Sequence, residues 1–287
     1  MDAMLVGQLV LNGLSFGALL FLVASGFTLV FGLMRISNLA HGAFYLVGAY
    51  VAIATVVATG NFWLGLIAGA LSAALVGLVS ERGLLRQVRG KEMPEVLVTV
   101  GISFVIADLL LATFGGDPKS IGLAGAPSGS VSVGEFAYPA YRLFIIGVTV
   151  LIGIVMMVLQ NRTTLGAVVR AGVDNREMTA GVGINVDRVF TGVFVFGSAL
   201  AGVAGAIGAG LLSLNPNSGT EMLLFAMVVV IIGGLGSIPG AAIGAALIGV
   251  IDAFAKAYLP EFSYFTVFAP MALVLVFRPY GLLGRPA

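Results

Sequence analysis

Residues 3–34 read AMLVGQLVLNGLSFGALLFLVASGFTLVFGLM, an unbroken apolar run without one charged side chain. A helix needs about 20 such residues to cross the hydrocarbon core of a bilayer, so this run suffices with length to spare. A cleaved leader would carry a positive n-region before an apolar stretch of roughly 7–15 residues. Here Asp2 is the sole charge ahead of a much longer run, which is therefore read as a retained first span. Working outward, Ile36–Ser80 is interrupted by His41 alone, and Leu143–Asn161, Val189–Thr220 and Met222–Ile251 carry no charge. None of these runs alternates in the ten-residue segments that a membrane β-barrel requires.

Composition agrees: 59% of residues are hydrophobic, 9% are charged, and mean hydropathy is +1.11. These values lie far from those of soluble domains. With no cysteine, neither disulfides nor thiolate metal sites are available, and a net charge of +1 argues against nucleic acid as a partner. The expected fold is all-α: a polytopic transmembrane helical bundle of about eight or nine spans in one domain, residues 1–287, with membrane lipid as its surroundings.

In chain order the expected spans are Leu5–Gly32, His41–Thr59, Phe62–Ser80, Val96–Phe114, Arg142–Gln160, Val189–Leu212, Met222–Ile232, Gly240–Ala255 and Tyr264–Phe277. Met222–Ile232 is short for a crossing and reads as half of a re-entrant pair with the segment after it. Residues 115–141 form a Gly/Pro/Ser-rich loop with room for a small hairpin. Basic residues gather on cytoplasmic loops. With the N-terminus outside and the C-terminus inside, Arg35, the 81–95 and 161–188 loops and the tail place eleven of the fourteen Lys and Arg side chains inside. Lys119, Arg142 and Lys256 fall outside.

The longest polar interlude is NRTTLGAVVRAGVDNREMTAGVGINVDRV (161–189), with Arg162, Arg170, Arg176 and Arg188 against Asp174, Glu177 and Asp187. Asp174 is a suitable N-cap, Glu177 three residues on completes a capping box, and Gly181 offers a stop. A helix of six or seven residues is marginal alone, so it reads either as an element braced against a partner or as part of a solvated loop.

Helices in lipid pack through small side chains. Forty-one glycines include Gly65/Gly69 and Gly236/Gly240/Gly244 at four-residue spacing, with Ala201-Gly202, Gly205 and Gly208 as a second small face. The last triplet is expected to line one helix face as a packing seam. Asp108 within the fourth span is expected to snorkel or to hydrogen-bond a neighbouring helix. His41, the single histidine, reads as an interhelical hydrogen-bonder or part of a gate.

The absences narrow the function. No G-x-x-x-x-G-K-[ST] loop is present, so the chain is expected to bind no ATP. There is no H-E-x-x-H and no pair of intramembrane acids, which leaves no visible catalytic set and no metal site. A passive pathway driven from elsewhere remains.

GFTLVFGLMRISNLAHGAFYLVGAY (26–50), RTTLGAVVRAGVDNREMTAGVGINVDRV (162–189), GGLGSIPGAAIGAALIG (233–249) and VLVFRPYGLLG (274–284) resemble the integral membrane permeases of high-affinity branched-chain amino acid ABC importers. The resemblance implies a bacterial inner-membrane permease paired with a second, related permease. It implies two cytoplasmic ATPase subunits that use ATP and a periplasmic solute-binding protein, and no cofactor bound by this chain. It makes 161–188 a cytoplasmic coupling loop, with Asn175–Ala180 as the coupling helix flanked by Leu165–Ala171. Leu165, Arg170, Asp174, Asn175, Arg176, Glu177 and Met178 are then the ATPase-facing residues. Relatives of that family also carry urea, short amides or other amino acids, and a self-sufficient secondary transporter is the alternative outside it. For a pathway that must not trap its cargo, Asn12, Ser15, Asn38, His41 and Ser103, with the GGLGSIPG break, are the candidate lining groups.

Overall fold

The computed structural model describes residues 3–34, 38–122, 125–133 and 136–284. Arg35, counted above among the cytoplasmic cations, lies outside them. The helices are α1 (Ala3–Met34), α2 (His41–Thr59), α3 (Phe62–Ser80), α4 (Arg86–Val88), α5 (Glu92–Phe114), α6 (Ala140–Arg162), α7 (Thr164–Asp174), α8 (Arg176–Gly181), α9 (Val186–Gly208), α10 (Ser218–Gly233), α11 (Ile238–Tyr258) and α12 (Ser263–Phe277). A π-helical turn, Glu81–Leu85, joins α3 to α4. The expected hairpin forms from β1 (Ser130–Val133) and β2 (Phe136–Pro139), antiparallel, with Val131 opposite Tyr138.

Among the described residues seven helices are long and apolar enough to cross a membrane, and α10 and α12 are shorter apolar helices. The chain is thus a polytopic helical bundle. α10 begins at Ser218, four residues before the expected Met222, because Ser218 and Gly219 fold into its first turn. α5 likewise begins at Glu92, with Pro94 in the first turn, where its missing N–H costs nothing.

The apolar stretch of α1 is 78% buried and that of α5 only 11%, which separates a central group from a peripheral one. α1, α2, α9, α10 and α11 form the centre, and α3, α5 and α6 lie outside. The centre closes through small residues, since lipid gives helices no hydrophobic reason to associate. A Cβ on Gly13 would meet the backbone of Val250, one on Gly17 the carbonyl of Ala245, and one on Gly249 the carbonyl of Gly13, so α1 and α11 touch backbone to backbone. Gly48 abuts Gly202, and Gly205 abuts the Tyr45 carbonyl, which does the same for α2 and α9.

α2 begins inside the protein. The His41 ring Nε2 lies 3.0 Å from the Val23 carbonyl, and Gly42 abuts Gly219. The irregular backbone ahead of it is satisfied locally: the Ala40 N–H donates to Asn38 Oδ1 at 3.1 Å and the His41 N–H to the Asn38 carbonyl at 3.3 Å. Non-helical backbone at membrane depth persists where protein buries it.

The turn from α10 to α11 corrects one expectation. Gly236 is not on a helix face with Gly240 and Gly244. It sits in the turn at φ +79°, a left-handed conformation that glycine adopts without strain, and Ser237 caps α11 by accepting from the Gly240 N–H at 3.1 Å. Gly240 and Gly244 do face α10, where added Cβ atoms would strike the carbonyls of Gly233 and Val229, while Gly236 packs on Gly32 of α1. The last carbonyls of a helix have no partner within it. Those of α10 are taken by the segment after α12: the Leu282 N–H donates to Ile232 at 2.8 Å and the Leu283 N–H to Gly233 at 3.0 Å.

Candidate functional site

At one end of the bundle, α7 and α8 form a small platform between α6 and α9. Thr163 caps α7, its hydroxyl accepting from the Gly166 N–H at 3.2 Å. The N-cap of α8 is Asn175 rather than Asp174: Asn175 Oδ1 accepts from the Met178 N–H at 2.9 Å. Asp174 is instead the last residue of α7, and this shift by one residue leaves Glu177 in the second helical position, outside a capping box. Asn175 is in an extended conformation, as an N-cap requires. The chain turns out of the helix beyond the expected stop, with Gly183 at φ +87°.

Leu165, Met178 and Val182 are exposed at 67%, 71% and 73% on this platform. Arg170 donates to the carbonyl of Gln160, tying α7 back to the end of α6. Beneath α7 an apolar cavity of about 470 Å³ opens between α6, α7 and α9.

Arg176, the first residue of α8, donates to Asp187 in the first turn of α9 at 2.6 Å. Asp187 also accepts from Arg89 at 2.9 Å and from Arg86 at 3.2 Å. Arg89 reaches on to Glu81, whose carboxylate is fully enclosed and also accepts from the Thr191 hydroxyl at 2.7 Å. Arg89 lies over the Phe190 ring at 5.6 Å. A continuous chain of charges thus runs from α8 through the start of α9 to the π-helical turn after α3. Its Asp187 also sits where a negative charge favours the helix macrodipole. A carboxylate this enclosed persists only because it is paired and hydrogen-bonded.

Of the candidate lining groups, Asn12 and Ser15 border a cavity at the opposite end of the bundle. Asn38 and His41 are fully buried between α1 and α2, where they serve the backbone contacts described above. Among the described residues Asn38 Nδ2, His41 Nδ1 and the nearby Thr28 hydroxyl lack a partner. Ser103 is half-buried on peripheral α5, and Asp108 is exposed on the same helix. The structure brings Asn12 and Ser15 together and leaves Asn38, His41 and Ser103 apart from them.

Residues 9–276 match the family described as branched-chain amino acid transport system / permease component. The chain belongs to that family. It is 32% identical to the high-affinity branched-chain amino acid transport system permease protein LivH of Salmonella typhimurium, over 97% of this chain and 96% of that protein. It is 30% identical to the corresponding protein BraD of Pseudomonas aeruginosa, again over 97% of this chain and 96% of that one. LivM of Escherichia coli, another permease protein of such a system, is 27% identical over 90% of this chain and 66% of its own length. No solved structure matches the chain. A permease of this family must move a solute past a bundle with two differently built ends, one a charged platform and one a pair of polar cavities.

Sequence reading missed Glu81, Arg89 and the junction role of Asp187. The signal was present: Glu81 is an acid at the edge of a long apolar run, beside a loop rich in arginine. Charges in such loops serve equally to set orientation, and only the structure shows that these meet.

Proposed function

We propose that this chain is the translocation subunit of an ATP-driven importer for branched-chain amino acids, set in the bacterial inner membrane. It pairs with a second, related permease, binds no cofactor and has no ATPase site of its own. Of two cytoplasmic ATPases, one seats on α7 and α8 of this chain, and a periplasmic solute-binding protein delivers cargo at the opposite end. The observation that carries this reading is the platform itself. Leu165 and Met178 are held in the open on two short capped helices, with Val182 just past the second, and Arg176 ties this platform to the start of α9. Exposed apolar side chains rimmed by charge mark a protein interaction site, and a helix as short as α8 is stable only when it is braced. Family membership supports the permease role. The nearly unburied outer side of α5, which carries Asp108 among Phe104, Val105 and Leu109, supports a partner within the membrane.

The test is co-purification of the ATPases with the permease pair in lipid nanodiscs, followed by ATP hydrolysis with binding protein and leucine. Leu165→Glu with Met178→Glu is expected to leave the permease pair intact and to abolish ATPase retention. Retention and coupled hydrolysis at the unmodified level would refute the platform. Leucine transport by the permeases alone, without ATPases, would refute the importer.

A further inference from the structure

At the end opposite the platform, two adjoining cavities of about 260 Å³ each lie between α1, α6, α10, α11 and the segment after α9. They share the walls Phe16, Leu212, Asp252 and Lys256. One also holds Arg142 and the other Glu221. Lys256 and Asp252, one turn apart on α11, pair at 2.7 Å, with the lysine side chain 59% exposed and the aspartate only 6%. The ammonium also stands 5.0 Å from the Phe16 ring centre. Arg142 donates to Asn12 Oδ1, which the Tyr138 hydroxyl also approaches at 3.1 Å. Among the described residues neither Arg142 nor Glu221 forms an ion pair.

These are two cations and two carboxylates around one apolar wall, and their charges cancel. An anionic or cationic ligand would satisfy one sign and unbalance the other. An uncharged ligand would gain little from any of them. A molecule bearing one charged group of each sign on a single carbon matches the set, because it can exchange partners with the Asp252–Lys256 pair without leaving a charge unmet.

We propose that these two cavities are a receiving site for a zwitterionic α-amino acid with an apolar side chain. The ligand carboxylate is held by Arg142 and Lys256, its ammonium by Asp252 and Glu221, and its side chain lies against Phe16, Leu212 and Phe225. Because the ligand displaces an existing ion pair, binding is weak, as a site on a through-route requires. The site's place in transport rests on the importer reading above; its occupancy does not.

The assembled permease pair in nanodiscs, without ATPases or binding protein, is titrated with L-leucine, L-leucinamide and 4-methylpentanoate by saturation-transfer NMR. Leucine is expected to bind roughly tenfold or more tightly than either analogue, each of which lacks one of the two charged groups. Glu221→Gln should weaken leucine and leucinamide and spare 4-methylpentanoate. Arg142→Gln should weaken leucine and 4-methylpentanoate and spare leucinamide. A crossed pattern of this kind cannot come from misfolding, which weakens all ligands together. Absence of saturable leucine binding, equal binding of the three, or uniform weakening by both variants would overturn the site. ATP-driven transport that persists with unchanged half-saturation in both variants would also overturn it and leave the importer standing. A crossed pattern without ATP coupling would keep the site and overturn the importer.

Discussion

Replacing Glu81 by glutamine is expected to be among the most damaging conservative changes in this chain. The Glu81 side chain is 1% exposed and that of its partner Arg89 9%. Removing one member of such a pair leaves the other charge buried without its counterion, at a cost of about 3–5 kcal/mol. Arg89 retains Asp187 at 2.9 Å, so the lower end of that range applies, a shift in the folding equilibrium of roughly a hundredfold. Arg86→Ala breaks a pair whose side chains are 53% and 32% exposed, where solvent screening limits the loss to about 0–1 kcal/mol. The double variant Glu81→Gln with Arg89→Gln removes both charges and should recover much of the loss, since a neutral pair carries no unmet charge. The chain has no cysteine, so a single one placed at the buried Ala204 reports unfolding through its reaction with a thiol dye during heating in nanodiscs. A shift for Glu81→Gln no larger than that for Arg86→Ala, or simple additivity of the two glutamine substitutions, would show that Glu81 and Arg89 are not a coupled buried pair.

Asn175→Ala removes the cap of α8, costs the platform about 0.5–2 kcal/mol, and should lower binding-protein-stimulated ATP hydrolysis more than Asp174→Ala does, as measured on the reconstituted importer. Gly240→Leu drives a side chain into the Gly233 carbonyl and should destabilise the chain by at least the ~1–3 kcal/mol of overpacking, whereas Gly147→Leu, with open space at its Cβ, should melt like the unmodified chain. Single cysteines at positions 59 and 170 should differ in intact cells: an impermeant maleimide labels Thr59→Cys from outside and leaves Arg170→Cys unlabelled, and the reverse pattern would invert the topology. The purified chain alone should show no ATP hydrolysis above a protein-free nanodisc control.

The sequence carried the fold because the crossings are long apolar runs with few charges, and both bundle ends because most charged residues cluster in loops and near helix ends. Cap positions were legible only to within a residue. Asp174 and Asn175 are both good caps by composition, and the choice between them depends on where α7 ends, where Gly172 packs against Val186 and Phe190 of α9. The GxxxG spacing at Gly236, Gly240 and Gly244 resembled one helical seam, but spacing does not reveal that the helix starts at Ile238. Asn12 and Ser15 were found because polar groups in an apolar run invite explanation. Arg142, Glu221, Asp252 and Lys256 were visible only as separate charges near helix ends, since their meeting depends on which helices neighbour one another. Asn38 and His41 drew attention for the same reason as Asn12, yet their polarity serves buried backbone.

The hydrogen bonds from Leu282 and Leu283 to the end of α10 carry a consequence for the order of synthesis. The two carbonyls at Ile232 and Gly233 are made about fifty residues before the amides that satisfy them. At roughly 5–20 residues per second, that interval lasts several seconds. Through it, α10 has an open end beside the glycine turn, and α11 and α12 must be inserted before the closing strand of backbone can arrive. The core of the permease is therefore completed late and from downstream. A released chain truncated near residue 260 should expose this turn to protease, and the full-length chain should protect it.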